Sequence, residues 1–103
     1  MWLYVFFDLP TDTKQQRKQA YGFRKNLLKD GFTMEQFSVY IRHCSNRPNA
    51  ETHIRRIREF LPNKGRVSIL CVTDKQFGKM VNFYCGVEKR KKESDFPKQL
   101  EIF

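Results

Sequence analysis

An α+β fold, an antiparallel sheet covered on one face by two helices, is what this sequence predicts. Three observations carry the prediction. Short apolar runs rich in β-formers recur along the chain, two amphipathic helical stretches separate them, and turn residues punctuate every junction. With 103 residues there is room for one modest core.

The chain opens MWLYVFFDLP. Trp2 to Phe7 reads as a strand covered on both faces or paired at the sheet centre, ended by Asp8 and broken by Pro10. Thr13-x-x-Gln16 offers a capping box for a helix running to Asp30, with Gly31 as its stop. Ala20, Phe23 and Leu27 share its apolar face, whereas Lys14, Lys18, Lys25 and Lys29 align on another with Arg17 beside them.

Phe32 to Cys44 reads as one bent strand or two short ones, because the alternation breaks around Gln36 to Ser38. Ser45 to Asn49 reads as a loop, with Asn49 capping a second helix. That helix places Ala50, Ile54, Ile57 and Leu61 inward and His53, Arg55, Arg56 and Arg58 outward. Pro62 to Gly65 ends it, and RVSILCVT, Arg66 to Thr73, reads as a largely buried strand. A turn over Asp74 to Lys79 and a short strand over Val81 to Cys85 are expected next. Residues 1–85 thus form the domain, 86–97 a charged linker, and 98–103 a C-terminal strand whose Leu100 and Ile102 seek an edge to join. The element order fits a ferredoxin-like plan with that extra strand.

Twenty Lys and Arg against eleven Asp and Glu leave a net charge of +9, which attracts polyanions. Fifteen of the basic residues and seven of the acidic ones fall in the first 85 positions, so the excess belongs to the domain. Cys44, Cys71 and Cys85 lack C-x-x-C spacing and argue against a disulfide framework or a zinc site; a reducing, cytoplasmic location is expected. The apolar start is too short for a signal segment or a membrane span, so no membrane partner is expected.

A carboxylate at the end of a central strand is held rigidly, ready to be aimed at a metal ion or a phosphate. The plainer alternative is that Asp8 serves the turn that follows. Glu35, Glu51, Glu59 and Asp74 read as surface ion-pair partners, His43 and His53 as phosphate-contacting or solvent-exposed groups, and the cysteines as small core residues. Ser38 is placed either near Asp8 across the sheet or simply at the bend.

V-F-F-D-L-P on the first strand, F-R-K-x-L-x-K-x-G-F at the end of helix one and Q-F-S-V-Y after it resemble the small ferredoxin-like subunit of CRISPR adaptation. R-H-C-x-N, H-I, L-P-x-K-G and V-T-D-K-Q-F-x-x-M resemble the branch that accompanies type II systems, and the likeness covers about residues 1 to 80. It implies a homodimer flanked by integrase dimers, which captures duplex DNA for spacer acquisition. It also implies endonuclease activity on RNA or DNA with Mg²⁺ or Mn²⁺, using Asp8 as the catalytic residue and metal ligand.

Because one carboxylate holds Mg²⁺ poorly, a twofold dimer would have to bring both Asp8 copies to one site. Lys14, Arg17, Lys18, Arg24, Lys25, Arg42, Arg55, Arg56 and Arg58 are the expected nucleic-acid contacts, tracking phosphates without reading bases. Two rival readings share the fold: a stand-alone RNA-binding module, whose aromatic signature RVSILCVT lacks, and a toxin-like ribonuclease acting without an integrase.

Overall fold

The computed structural model describes residues 1–86, which divide into a unit spanning Met1–Thr73 and a second that starts at Asp74. The first unit contains β1 (Trp2–Asp8), α1 (Lys14–Lys29), β2 (Thr33–Gln36), β3 (Val39–His43), α2 (Arg47–Glu59) and β4 (Arg66–Val72). Its four strands lie in the order β2-β3-β1-β4, every neighbouring pair antiparallel. This is the α+β, ferredoxin-like architecture the sequence predicts.

β1 is a central strand, with Val5 opposite Tyr40 of β3 on one side and Ile69 of β4 on the other. Its alternate residues Leu3, Val5 and Phe7 join Phe23 and Leu27 of α1 and Ala50 and Ile57 of α2 in one core. Each of these Leu, Val, Ile and Phe side chains, fully buried, contributes about 1.5–3 kcal/mol. Trp2, Tyr4, Phe6 and Asp8 therefore lie on the opposite face, where Tyr4 and Phe6 stack at 5.8 Å. Burial, and then the Glu35 carboxylate, push the Tyr4 phenol up from its ordinary value.

The ends of α1 follow from local chemistry. Thr13 Oγ1 accepts the Gln16 N–H at 3.1 Å while the Gln16 side chain accepts the Thr13 N–H at 3.1 Å, completing the capping box. At the other end Gly31, at φ +88°, reverses the chain, its N–H bonding Leu28 O and that of Phe32 bonding Leu27 O. The break around Gln36 to Ser38 is a turn beside a register shift, so Phe32 to Cys44 yields two short strands, with Ser38 at φ +64°.

Several expectations need correction. α2 begins at Arg47, not after Asn49: Asn46 is the cap, its Oδ1 accepting the Asn49 N–H at 2.9 Å. The side chain of Asn49 accepts the Ser45 N–H in return, and Pro48 is tolerated because the first turn has no intrahelical use for its missing donor. His53 is buried rather than outward, and Leu61 is exposed rather than inward, since the helix ends at Glu59 before reaching it. β4 is only half buried, being an edge strand: Val67, Ile69 and Cys71 pack on the core while Leu70 is exposed.

In the second unit Asp74–Gly78 is a short helix, α3, where a turn was expected. Val81 to Cys85 forms no strand among the described residues, because an extended segment is a strand only when a partner completes its ladder. Cys85 is exposed, unlike buried Cys44, so the cysteines are not all core residues. Burial pushes the Cys44 thiol up against the opposing pull of Arg42, which suits an inert filler. The expected linker from residue 87 on and the strand over 98–103 lie outside the described residues.

Candidate active site at the end of the first strand

Asp8 is the last residue of β1, directly opposite Arg66, the first of β4. The β4 ladder holds its backbone on one side, while on the β3 side pairing ends at Phe6 opposite Val39 and the Phe7 N–H bond to Ser38 O, at 3.1 Å, holds the residue before it. The approach of β4 requires Gly65, which sits at φ +107°. A Cβ there would meet Asp8 O at 2.7 Å and the Leu9 side chain at 2.8 Å.

The carboxylate itself is exposed and lines an open depression of about 340 Å³ with Phe6, Phe37, Ser38, Arg66 and Ser68. Ser38 thus does lie near Asp8. Among the described residues Asp8 makes no side-chain hydrogen bond or ion pair, and Thr13 and Gln16 cap α1 in its place. The plainer role of serving the turn is therefore filled by other groups.

Hard cations such as Mg²⁺ and Mn²⁺ take oxygen ligands, commonly one or two carboxylates with water and substrate phosphate. An exposed, unjoined carboxylate fits that demand. Among the described residues no group of three His, Cys, Asp or Glu side chains could hold a metal, and Asp8 is the one carboxylate among those lining the depression.

The expected nucleic-acid contacts separate into four sets. Lys14 and Lys18 line an open groove of about 600 Å³ on α1 with Gln15 and Gln19, and Lys25 continues the same face with its Nζ 5.8 Å from the Tyr21 ring centre. Arg24 places its guanidinium 5.8 Å from the ring centre of Phe37, an exposed aromatic that lines the depression with Asp8. Arg17 bonds Thr11 O at 3.1 Å, Arg55 bonds Thr52 Oγ1 at 3.3 Å, and Arg58 is exposed on α2.

Arg42 and Arg56 converge instead on Asp30, the cap residue at the end of α1. Arg42 bonds Asp30 O at 2.9 Å, Arg56 bonds Oδ1 at 2.9 Å, and His53 Nδ1 lies 2.7 Å from Oδ2. Sequence reasoning missed this cluster, Arg66 and the role of Phe37. The pairing of β1 with β4, which puts Arg66 beside Asp8, leaves no local signal.

Comparison with known proteins gives a consistent result. The family model described as "CRISPR associated protein Cas2" matches residues 1–80. A protein named "CRISPR-associated endoribonuclease Cas2" from Flavobacterium psychrophilum is 54% identical, covering 100% of this chain and 88% of its own length. Proteins of the same name from Parvibaculum lavamentivorans and Paracidovorax avenae are 48% and 42% identical, each over 100% of this chain, and over 100% and 94% of their own lengths.

Proposed function

The chain belongs to the CRISPR-associated Cas2 family, and we propose from that premise that it is an endonuclease that hydrolyses phosphodiesters, RNA first among them, with Asp8 as its catalytic carboxylate. The observation that carries this reading is Asp8, exposed and unpartnered among the described residues, at the end of a strand paired on both edges.

Hydrolysis joins a water oxygen to phosphorus, breaks the bond from phosphorus to one sugar oxygen, and passes the water proton by way of solvent to that leaving oxygen. Bound Mg²⁺ or Mn²⁺ would supply an activated water and offset charge on the phosphate. Asp8 would hold the ion, together with the second Asp8 of a homodimer. β1, anchored through Leu3, Val5 and Phe7, fixes the backbone that carries the carboxylate, while Gly65 lets β4 close against it.

In this reading two copies pack through the sheet face opposite the helices, where Phe6 and Leu70 are exposed. The dimer bridges integrase dimers in the adaptation complex of a type II system. Lys14, Lys18 and Lys25 track the backbone of duplex DNA irrespective of sequence. Duplex DNA and single-stranded RNA incubated with the pure protein and Mg²⁺, Mn²⁺ or chelator, with sedimentation in parallel, test the proposal. RNA cleavage that chelator stops, by a particle of two chains, is the expected result. Cleavage that survives chelator would overturn the metal, and single chains at all concentrations would overturn the paired site.

A further inference from the structure

Arg66 is opposite Asp8 in the β1–β4 ladder, and directly opposed residues carry their side chains on the same face of a sheet. Both line the depression of about 340 Å³. Two opposite charges so placed would ordinarily close on each other. Among the described residues they form no ion pair, and neither side chain makes any hydrogen bond. The guanidinium keeps its five donors for something else.

Its place is set as firmly as that of Asp8. Gly65 fixes the backbone before it, and Val67 after it packs on the core. Ser38 and Ser68 line the same depression and add hydroxyls but no negative charge. A carboxylate alone repels an anionic substrate, whereas a guanidinium carried beside it on a fixed backbone offers a planar fork matched to two oxygens of a phosphate.

We propose that Arg66 is a substrate-binding residue whose guanidinium takes the anionic oxygens of a phosphodiester lying in the depression beside Asp8. The inference rests on the reading of Asp8 as the catalytic carboxylate. It also assigns a direction: the scissile phosphate lies between β1 and β4, while the Arg24–Phe37 pair on the opposite rim faces the neighbouring nucleotide.

The experiment uses the full chain and dimethyl phosphate, a diester that carries one negative charge. In metal-free titrations followed by the Nε–H resonance of Arg66, a saturable shift is expected, several-fold tighter in Asp8→Asn because the repelling charge is gone. In RNA cleavage with Mg²⁺, Arg66→Gln should lose about 100- to 1,000-fold in kcat, as removal of one charge-stabilising donor does elsewhere, and Arg66→Lys should recover part of it. Unfolding midpoints should not move. If the Arg66 resonance ignores dimethyl phosphate and Arg66→Gln cleaves at the wild-type rate while Asp8→Asn is inactive, the inference falls and the Asp8 reading stands. If Asp8→Asn cleaves normally and the Arg66 resonance still shifts, the Asp8 reading falls and Arg66 stands as a phosphate contact.

Discussion

Two aspartates close the first two elements of the chain, and they are used in opposite ways. Asp8, ending β1, is exposed and unpartnered among the described residues. Asp30, capping α1, has a side chain only 10% exposed, with both carboxylate oxygens bonded, to His53 and to Arg56. A carboxylate at a helix C-terminus faces the negative end of the helix dipole and is unfavourable alone. Two nitrogen groups from α2 reverse that sign and tie the helices together. The difference teaches that a charge saturated by its neighbours serves the fold, while one held on a rigid strand and joined by nothing among the described residues stays open to a ligand, as the role proposed for Asp8 requires.

The sharpest way to break this contrast is Asp8→Asn. Metal-dependent RNA cleavage should disappear, whereas the unfolding midpoint and the affinity for duplex should stay near wild type. Asp30→Ala should do the reverse. It leaves the buried His53 without its partner, so denaturant unfolding should show a loss of about 2–3 kcal/mol, with cleavage per folded molecule retained. Arg56 is more than half exposed and adds little to that figure.

Gly65→Ala strikes stability and the Asp8 end of the comparison together, because the added Cβ meets the backbone of Asp8. It should cost about 1–2 kcal/mol through φ strain and also raise the Mg²⁺ concentration needed for half-maximal cleavage. The smallest effect is expected for Lys18→Gln: slightly weaker binding to all duplex sequences alike, with the salt slope reduced by about one unit. A loss confined to particular sequences would count against backbone recognition.

How much of this could be read from the chain depends on the range of the interaction. The capping box of Thr13 and Gln16, the Gly31 stop and the break at Gln36 to Ser38 are written within a few residues and were legible. So was Asp8, because a charge ending an apolar run is visible without a fold. The partnership of His53 with Asp30 spans 23 residues, and helical spacing alone put that histidine among the arginines of the outer face. Arg66 becomes a neighbour of Asp8 only through the pairing of β1 with β4, which no local pattern encodes. Asn46 and Asn49 compete for one cap, and the sequence offers both.

The central claim is that the open carboxylate of Asp8 carries the chemistry. The most direct test is the rate of RNA cleavage by purified Asp8→Asn in saturating Mg²⁺, beside wild type from the same preparation. The account predicts no cleavage above the chelator blank from a variant that unfolds at the wild-type midpoint. Cleavage at the wild-type rate by that variant would contradict it.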